Sequence, residues 1–207
     1  MMPTPAAILT SLATIANAWW PLAAAWHVAL AALVLRILRM PAPSTRSVSL
    51  AVTAPIVSVS ALAWWAGNPF NGIVFAVLAL SLAVIAWREP RQPFGFAAAP
   101  YVWLGAVMTA FGWLYPHFLD ERGWTMYLYA APFGLVPCPT LSVAAGVALM
   151  TGGSRARLIA LAIAALCYGA IGAFILGVTI DLALIAGGVA LVFASRDGRG
   201  RPGGTRR

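Results

Sequence analysis

Residues 127–140 read YLYAAPFGLVPCPT, an apolar run holding three prolines (Pro132, Pro137, Pro139), Gly134 and one of the chain's two cysteines, Cys138. A proline lacks the backbone N–H and its ring clashes with the preceding helical turn, so this run cannot be one straight helix. It is nevertheless too apolar for a surface loop. Non-helical backbone at membrane depth persists only where protein or water covers its freed polar groups. The stretch therefore predicts a broken helix, with Pro132, Gly134, Pro137 and Pro139 as the structural break, enclosed by a frame of other helices.

The composition supplies that frame. Of 207 residues, 62% are hydrophobic and 9% charged, and the mean hydropathy is +0.88. Soluble domains are nearer half apolar and a quarter charged. The fold class expected is an all-α integral membrane protein. All 13 basic residues are arginine, against 5 acids, for a formal charge of +8. The arginines lie in short loops and the tail, where a membrane topology signal belongs, and not in a nucleic-acid-binding stripe. Two cysteines make no disulfide framework.

Taken in order, residues 6–17 predict an interfacial helix, divided from the first span by Trp19, Trp20 and Pro21. Seven spans are expected, over residues 17–38, 48–65, 71–87, 100–115, 127–152, 158–177 and 182–194. Residues 195–207 read as a basic disordered tail. With seven spans, every arginine except Arg122 falls on the same side as the C-terminus. The positive-inside rule then places the N-terminus out and the C-terminus in, in a bacterial cytoplasmic membrane. From Pro139 the fifth helix is about 21 Å long at 1.5 Å per residue, against a hydrocarbon core of about 30 Å. Residues 127–138 must make up the difference, so the break penetrates the bilayer.

Candidate chemistry gathers near that break. With Pro139 at the first helical position, Cys138 would occupy the cap, where the helix dipole favours a thiolate. Thr140 would add a hydroxyl. Such a thiol suits a soft metal or a redox relay, but Cys167 lies mid-helix, too far off to be its partner. A buried small side chain in a crowded kink is the competing reading. The loop before the break carries His117, Asp120 and Glu121, a donor set for a hard or borderline metal ion or simply a solvated loop. His27 is the ionisable group well inside the first span, a polar contact by default. With Ala23 one turn earlier, it is also a candidate tetrapyrrole contact. Asp181 is expected to cap the seventh span. No span carries a clearly mid-depth acid or base, which disfavours proton-coupled transport. Walker, zincin and serine-hydrolase motifs are absent, so no enzyme is expected. Small-residue faces at Ala165, Gly169, Gly172 and Ala173, and at Gly187 and Gly188, suit close helix packing.

The order of features resembles the bacterial multi-pass membrane family called domain of unknown function 6064. The elements are Asn17, Trp20 and Pro21; Asn68, Pro69 and Asn71 before the third span; and Tyr115 with Pro116. A box from Pro132 to Thr140 ends in Pro-Cys-Pro-Thr, with Phe133 and Gly134 one place early, and Gly169 to Asp181 completes the series. Tyr129 departs from the family's second Tyr-Pro, because alanine follows it. The resemblance implies an architecture and carries no activity. The function expected is a non-catalytic accessory, assembly or stabilising subunit of a larger membrane complex, in contact with lipid and with other subunits or itself. The alternative is small-solute or metal-ion handling at the broken helix.

Overall fold

The structure is a computed structural model and describes residues 4–39, 43–91, 93, 95–119 and 123–197. Among these residues every named element is helical, and extended pairing is limited to one isolated bridge between Ser44 and Pro93. The helices are α1 (Pro5–Ala18), α2 (Trp20–Leu38), α3 (Thr45–Trp65), α4 (Pro69–Arg88), α5 (Ala99–Leu114), the single turn α6 (Tyr127–Ala130), α7 (Pro137–Thr151), α8 (Arg155–Ala170) and α9 (Leu182–Arg196). Five segments are long and apolar enough to cross a membrane: Trp20–Leu38, Thr45–Trp65, Pro69–Arg88, Arg155–Ile175 and Thr179–Arg196. The apolar helices α5 and α7 are shorter, at 16 and 15 residues.

The chain's own punctuation sets these ends. Thr4, Ser44, Asn68 and Ser154 each accept a backbone N–H three residues on, capping α1, α3, α4 and α8, because a short polar side chain satisfies a donor the helix leaves free. Pro21 and Pro69 lie in the first turns of α2 and α4, where no N–H is needed.

At the centre stands α7. All its residues except Cys138 and Met150 are buried, so it is covered on every side, as expected of an apolar helix without a polar face. Its most extensive partner is α5. Glycines make that approach possible: a β-carbon on Gly105 would stand 2.5 Å from the Gly146 carbonyl oxygen, and one on Gly112 2.6 Å from that of Pro139. Ser142 crosses the same seam and donates to the Met108 carbonyl at 2.7 Å. The small residues of α8 and α9 work likewise within the bundle, with Gly169 against Ile185, Gly188 against Leu166 and Gly187 against Met108 of α5. By contrast α2 is peripheral, only 17% buried over its apolar window.

A buried polar knot closes the bundle end that carries the arginines. Glu89 accepts the Ser49 hydroxyl at 2.6 Å and pairs with Arg157 at 3.5 Å. Its other oxygen accepts the Ser154 N–H at 3.3 Å. Arg157 also donates to Ser49, to Thr151 and to the Gly152 carbonyl. Arg46 donates to the Glu89 carbonyl at 3.1 and 2.9 Å and stacks over Trp87. Arg157 is thus not the loop arginine its sequence position implied: capping by Ser154 draws it into the first turn of α8, where it ties the ends of α3, α4, α7 and α8. The helix α9 runs through Arg196, past the expected start of the tail at 195, and Asp197 accepts the Tyr101 hydroxyl at 2.7 Å. The remaining tail lies outside the described residues.

Candidate functional site

The opposite end of α7 is the break. After α6 the chain leaves helix at Ala131 and turns through Gly134, whose φ of +77° favours glycine. A side chain there would also collide with the Trp26 indole. Val136 is extended (φ −123°, ψ 158°), the conformation a following proline imposes. Helix α7 then starts at Pro137, two residues before the expected start at Pro139. Both prolines fit its first turn, where a helix leaves N–H groups unpaired. With Pro137 and Pro139 in place, Cys138 holds the one N–H among the first three helical residues. The Val136 N–H is met by the Pro132 carbonyl at 3.2 Å. A helix beginning inside apolar surroundings would otherwise leave several donors without partners, at a cost of about 1–3 kcal/mol each.

Cys138 is therefore one turn-position inside the helix and not at its cap. Two residues apart on a helix, Cys138 and Thr140 point in nearly opposite directions. Thr140 faces the turn: its hydroxyl accepts the Gly134 N–H at 2.9 Å and donates to the Val136 carbonyl at 2.7 Å. The Cys138 thiol turns the other way, into the neighbourhood of Tyr115 and Asp181. Tyr115, fully buried just beyond α5, donates to the Asp181 carboxylate at 2.7 Å.

Asp181 itself is only 1% exposed. It stands at the cap position of α9 but makes no capping bond through its side chain. Its carboxylate turns instead toward Tyr115 and Cys138, and a β-carbon at Gly172 would fall on it. Gly172 lies in a π-helical turn, Ile171–Ile175, closed by the Leu176 N–H on the Ile171 carbonyl at 2.9 Å. Such turns are frequent at functional sites. The expected capping role of Asp181 is replaced by this Tyr115–Asp181–Cys138 cluster. The signal available for it was shared depth, since all three residues close the ends of helices meeting on one side of the bundle.

The other sequence candidates separate. His117 is half-buried with its ring against Phe118 at 4.3 Å, and Asp120 and Glu121 lie outside the described residues. Among the described residues, no three His, Cys, Asp or Glu side chains gather closely enough to hold a metal ion. His27 is buried, with Nδ1 2.8 Å from the Ala23 carbonyl and Nε2 2.9 Å from the Trp113 carbonyl. Trp113 and Phe133 flank its ring at 4.6 and 6.0 Å. Each ring nitrogen thus faces a backbone carbonyl, one of which a neutral ring can donate to, and the room expected beside Ala23 is filled: Ala23 is fully buried against Leu12, Ile15 and Leu135. A histidine so placed is a tie between α2 and α5.

No protein-family model, curated protein or solved structure matches the chain.

Proposed function

We propose that the chain is a non-catalytic integral membrane protein, an accessory, assembly or stabilising subunit of a larger membrane complex. One observation carries this reading: the polar groups of the Pro-Cys-Pro-Thr box are satisfied inside the fold. The prolines remove donors, Thr140 bridges two backbone groups, Ser142 holds α5, and Cys138 is turned onto Tyr115 and Asp181. A half-helix N-terminus that served a ligand would keep its N–H groups free and aimed at it. This one builds a rigid centre. The surface left outward is apolar and bulky, including Phe70, Trp87, Trp103 and Phe174, which fits lipid and neighbouring subunits.

In this reading α2–α5 and α7–α9 are seven spans, with the fifth broken at 131–136 and α1 at the interface. The shorter α5 and α7 are about 24 and 22 Å long at 1.5 Å per residue. Their shortfall against a core of about 30 Å is made up by Tyr115–Leu119 and by α6 with its turn. The arginine-bearing end faces the cytoplasm of a bacterial cell and the N-terminus faces out. On the sequence elements that carry it, membership in the family called domain of unknown function 6064 is part of the same proposal. The test is extraction from native membrane in mild detergent. Migration with other subunits at a mass well above 21.7 kDa plus detergent is expected; a lone protomer with no partner would count heavily against the reading.

A second reading is favoured by Asp181. Among the described residues no basic side chain forms an ion pair with this buried carboxylate, and an uncompensated buried charge takes up a proton or a cation. Tyr115, Cys138 and Asp181 together offer oxygen and sulfur donors for small-solute or metal-ion handling. If Asp181→Asn, Cys138→Ser and His117→Ala change neither bound metal nor uptake, this reading is to be dropped.

A further inference from the structure

A cleft of about 220 Å³ lies between α2 and α3, floored by α7 and by the turn that precedes it. Trp26, Leu33, Ala51, Pro55, Phe133 and Thr140 are among the residues lining it. An apolar cavity of about 150 Å³ already admits benzene, so this one has room for a longer stretch of hydrocarbon. Its two polar side chains are occupied. Thr140 is bonded to Gly134 and Val136, and the Trp26 indole N–H donates to Ser58 at 3.3 Å. Nothing in the lining therefore draws in a polar group. At its mouth stand Ala29, Ala51 and Ala54, all exposed, so small side chains leave it open toward the surroundings of α2.

The charges lie at one end. Along α2, Leu33 is followed by Arg36 and Arg39, about 4.5 and 9 Å further at 1.5 Å per residue. Along α3, Arg46 precedes Ala51 by about 7.5 Å at the same rise, with its guanidinium held on the Glu89 carbonyl and over Trp87. Because α2 and α3 are antiparallel neighbours, these arginines share the bundle end toward which the cleft runs. An apolar slot at bilayer depth, leading to several guanidinium groups, complements one kind of molecule.

We propose that this cleft binds an anionic phospholipid. One acyl chain lies between α2 and α3 against Phe133 and α7, and the phosphate sits beside Arg36 and Arg39. The proposal rests on the membrane reading above and goes beyond it by assigning a lipid class and a place. It also gives the peripheral α2 a mortar: the chain fills the gap where α2 does not reach α3.

The test is native mass spectrometry of the detergent-purified full chain, titrated with dioleoyl-phosphatidylglycerol or dioleoyl-phosphatidylcholine. The phosphatidylglycerol adduct is expected to persist at collision energies that strip phosphatidylcholine. A near-surface arginine is worth about fivefold in affinity for an anionic headgroup. Arg36→Gln with Arg39→Gln should then reduce the preference for phosphatidylglycerol by roughly 25-fold. Ala54→Phe, which fills the mouth, should abolish the retained adduct. Equal retention of the two lipids by the unaltered chain would overturn the assignment without any variant having to fold. So would an unchanged adduct in a folded Ala54→Phe protein. Recovery of the chain without detergent in the soluble fraction would instead overturn the membrane reading itself.

Discussion

Replacing Gly146 by alanine tests the seam that holds α7 in place. The new β-carbon would run into the Thr109 hydroxyl, and would stand 2.5 Å from the Gly105 carbonyl oxygen and 2.7 Å from the Thr109 backbone nitrogen. An ordinary carbon–oxygen approach across helices is about 3.3–3.6 Å, so α5 and α7 must part by about 1 Å at this level. Overpacking of this kind costs about 1–3 kcal/mol. The Ser142 hydroxyl, bonded to Met108 across the same seam, would be stretched at a further cost of about 1 kcal/mol. The sum, about 2–4 kcal/mol, corresponds to a fall of roughly 5–15 °C in the unfolding midpoint of a chain this size. Thermal unfolding in a mild detergent, followed by tryptophan fluorescence, measures it. Ala110→Leu, on an exposed position of the same α5, should shift the midpoint little. Since backbone atoms obstruct as well as the Thr109 hydroxyl, adding Thr109→Ala should restore Gly146→Ala only in part. A Gly146→Ala midpoint equal to the unaltered one would show that α5 and α7 do not meet as described.

Three other outcomes follow from the two ends of the bundle. Arg157→Met leaves Glu89 buried without its ion-pair partner and should destabilise the fold by about 3–5 kcal/mol. The double change Arg157→Met with Glu89→Leu should be milder, and comparing their unfolding midpoints checks this. Pro139→Ala returns an N–H to the buried first turn of α7 and should lower stability by about 1–3 kcal/mol, whereas Pro116→Ala at an exposed position should be near neutral. Cys167 is exposed and Cys138 partly buried with its thiol turned inward. N-ethylmaleimide followed by peptide mass mapping should therefore label Cys167 first, with Cys138 reached only after unfolding in dodecyl sulfate.

The helical, membrane-compatible character was legible because it resides in composition and in long apolar runs, which need no partner to be read. Proline chemistry likewise marked 127–140 as discontinuous, since a missing N–H is a local fact. Its starting point was harder. Pro137 and Pro139 are equally suited to a first helical turn, and only the extended Val136 shows that the earlier one begins it. The site was the least legible. Tyr115 and Asp181 are 66 positions apart in the chain, and nothing local says that an acid before α9 will turn from capping to meet a phenol beyond α5. Gly105, Gly112 and Gly146 carry no pattern that distinguishes them from the glycines of α8 and α9, yet they let α5 and α7 meet backbone to backbone. Arg157 looked like a topology marker because a charge in a short loop and a charge drawn under a loop are written with the same letter.

The satisfied break at 131–137 has a consequence for biogenesis. Helix α7 is short, lacks an outward face and is preceded by bare backbone, so by itself it is a poor candidate to leave the translocation channel sideways into lipid. Its covering comes from α3 and α5, synthesised before it, and from α8 and α9, synthesised after it. The segment must therefore be held near the channel until its later neighbours emerge. The order of seating is then not the order of the chain, and α7 is among the last helices to find its place.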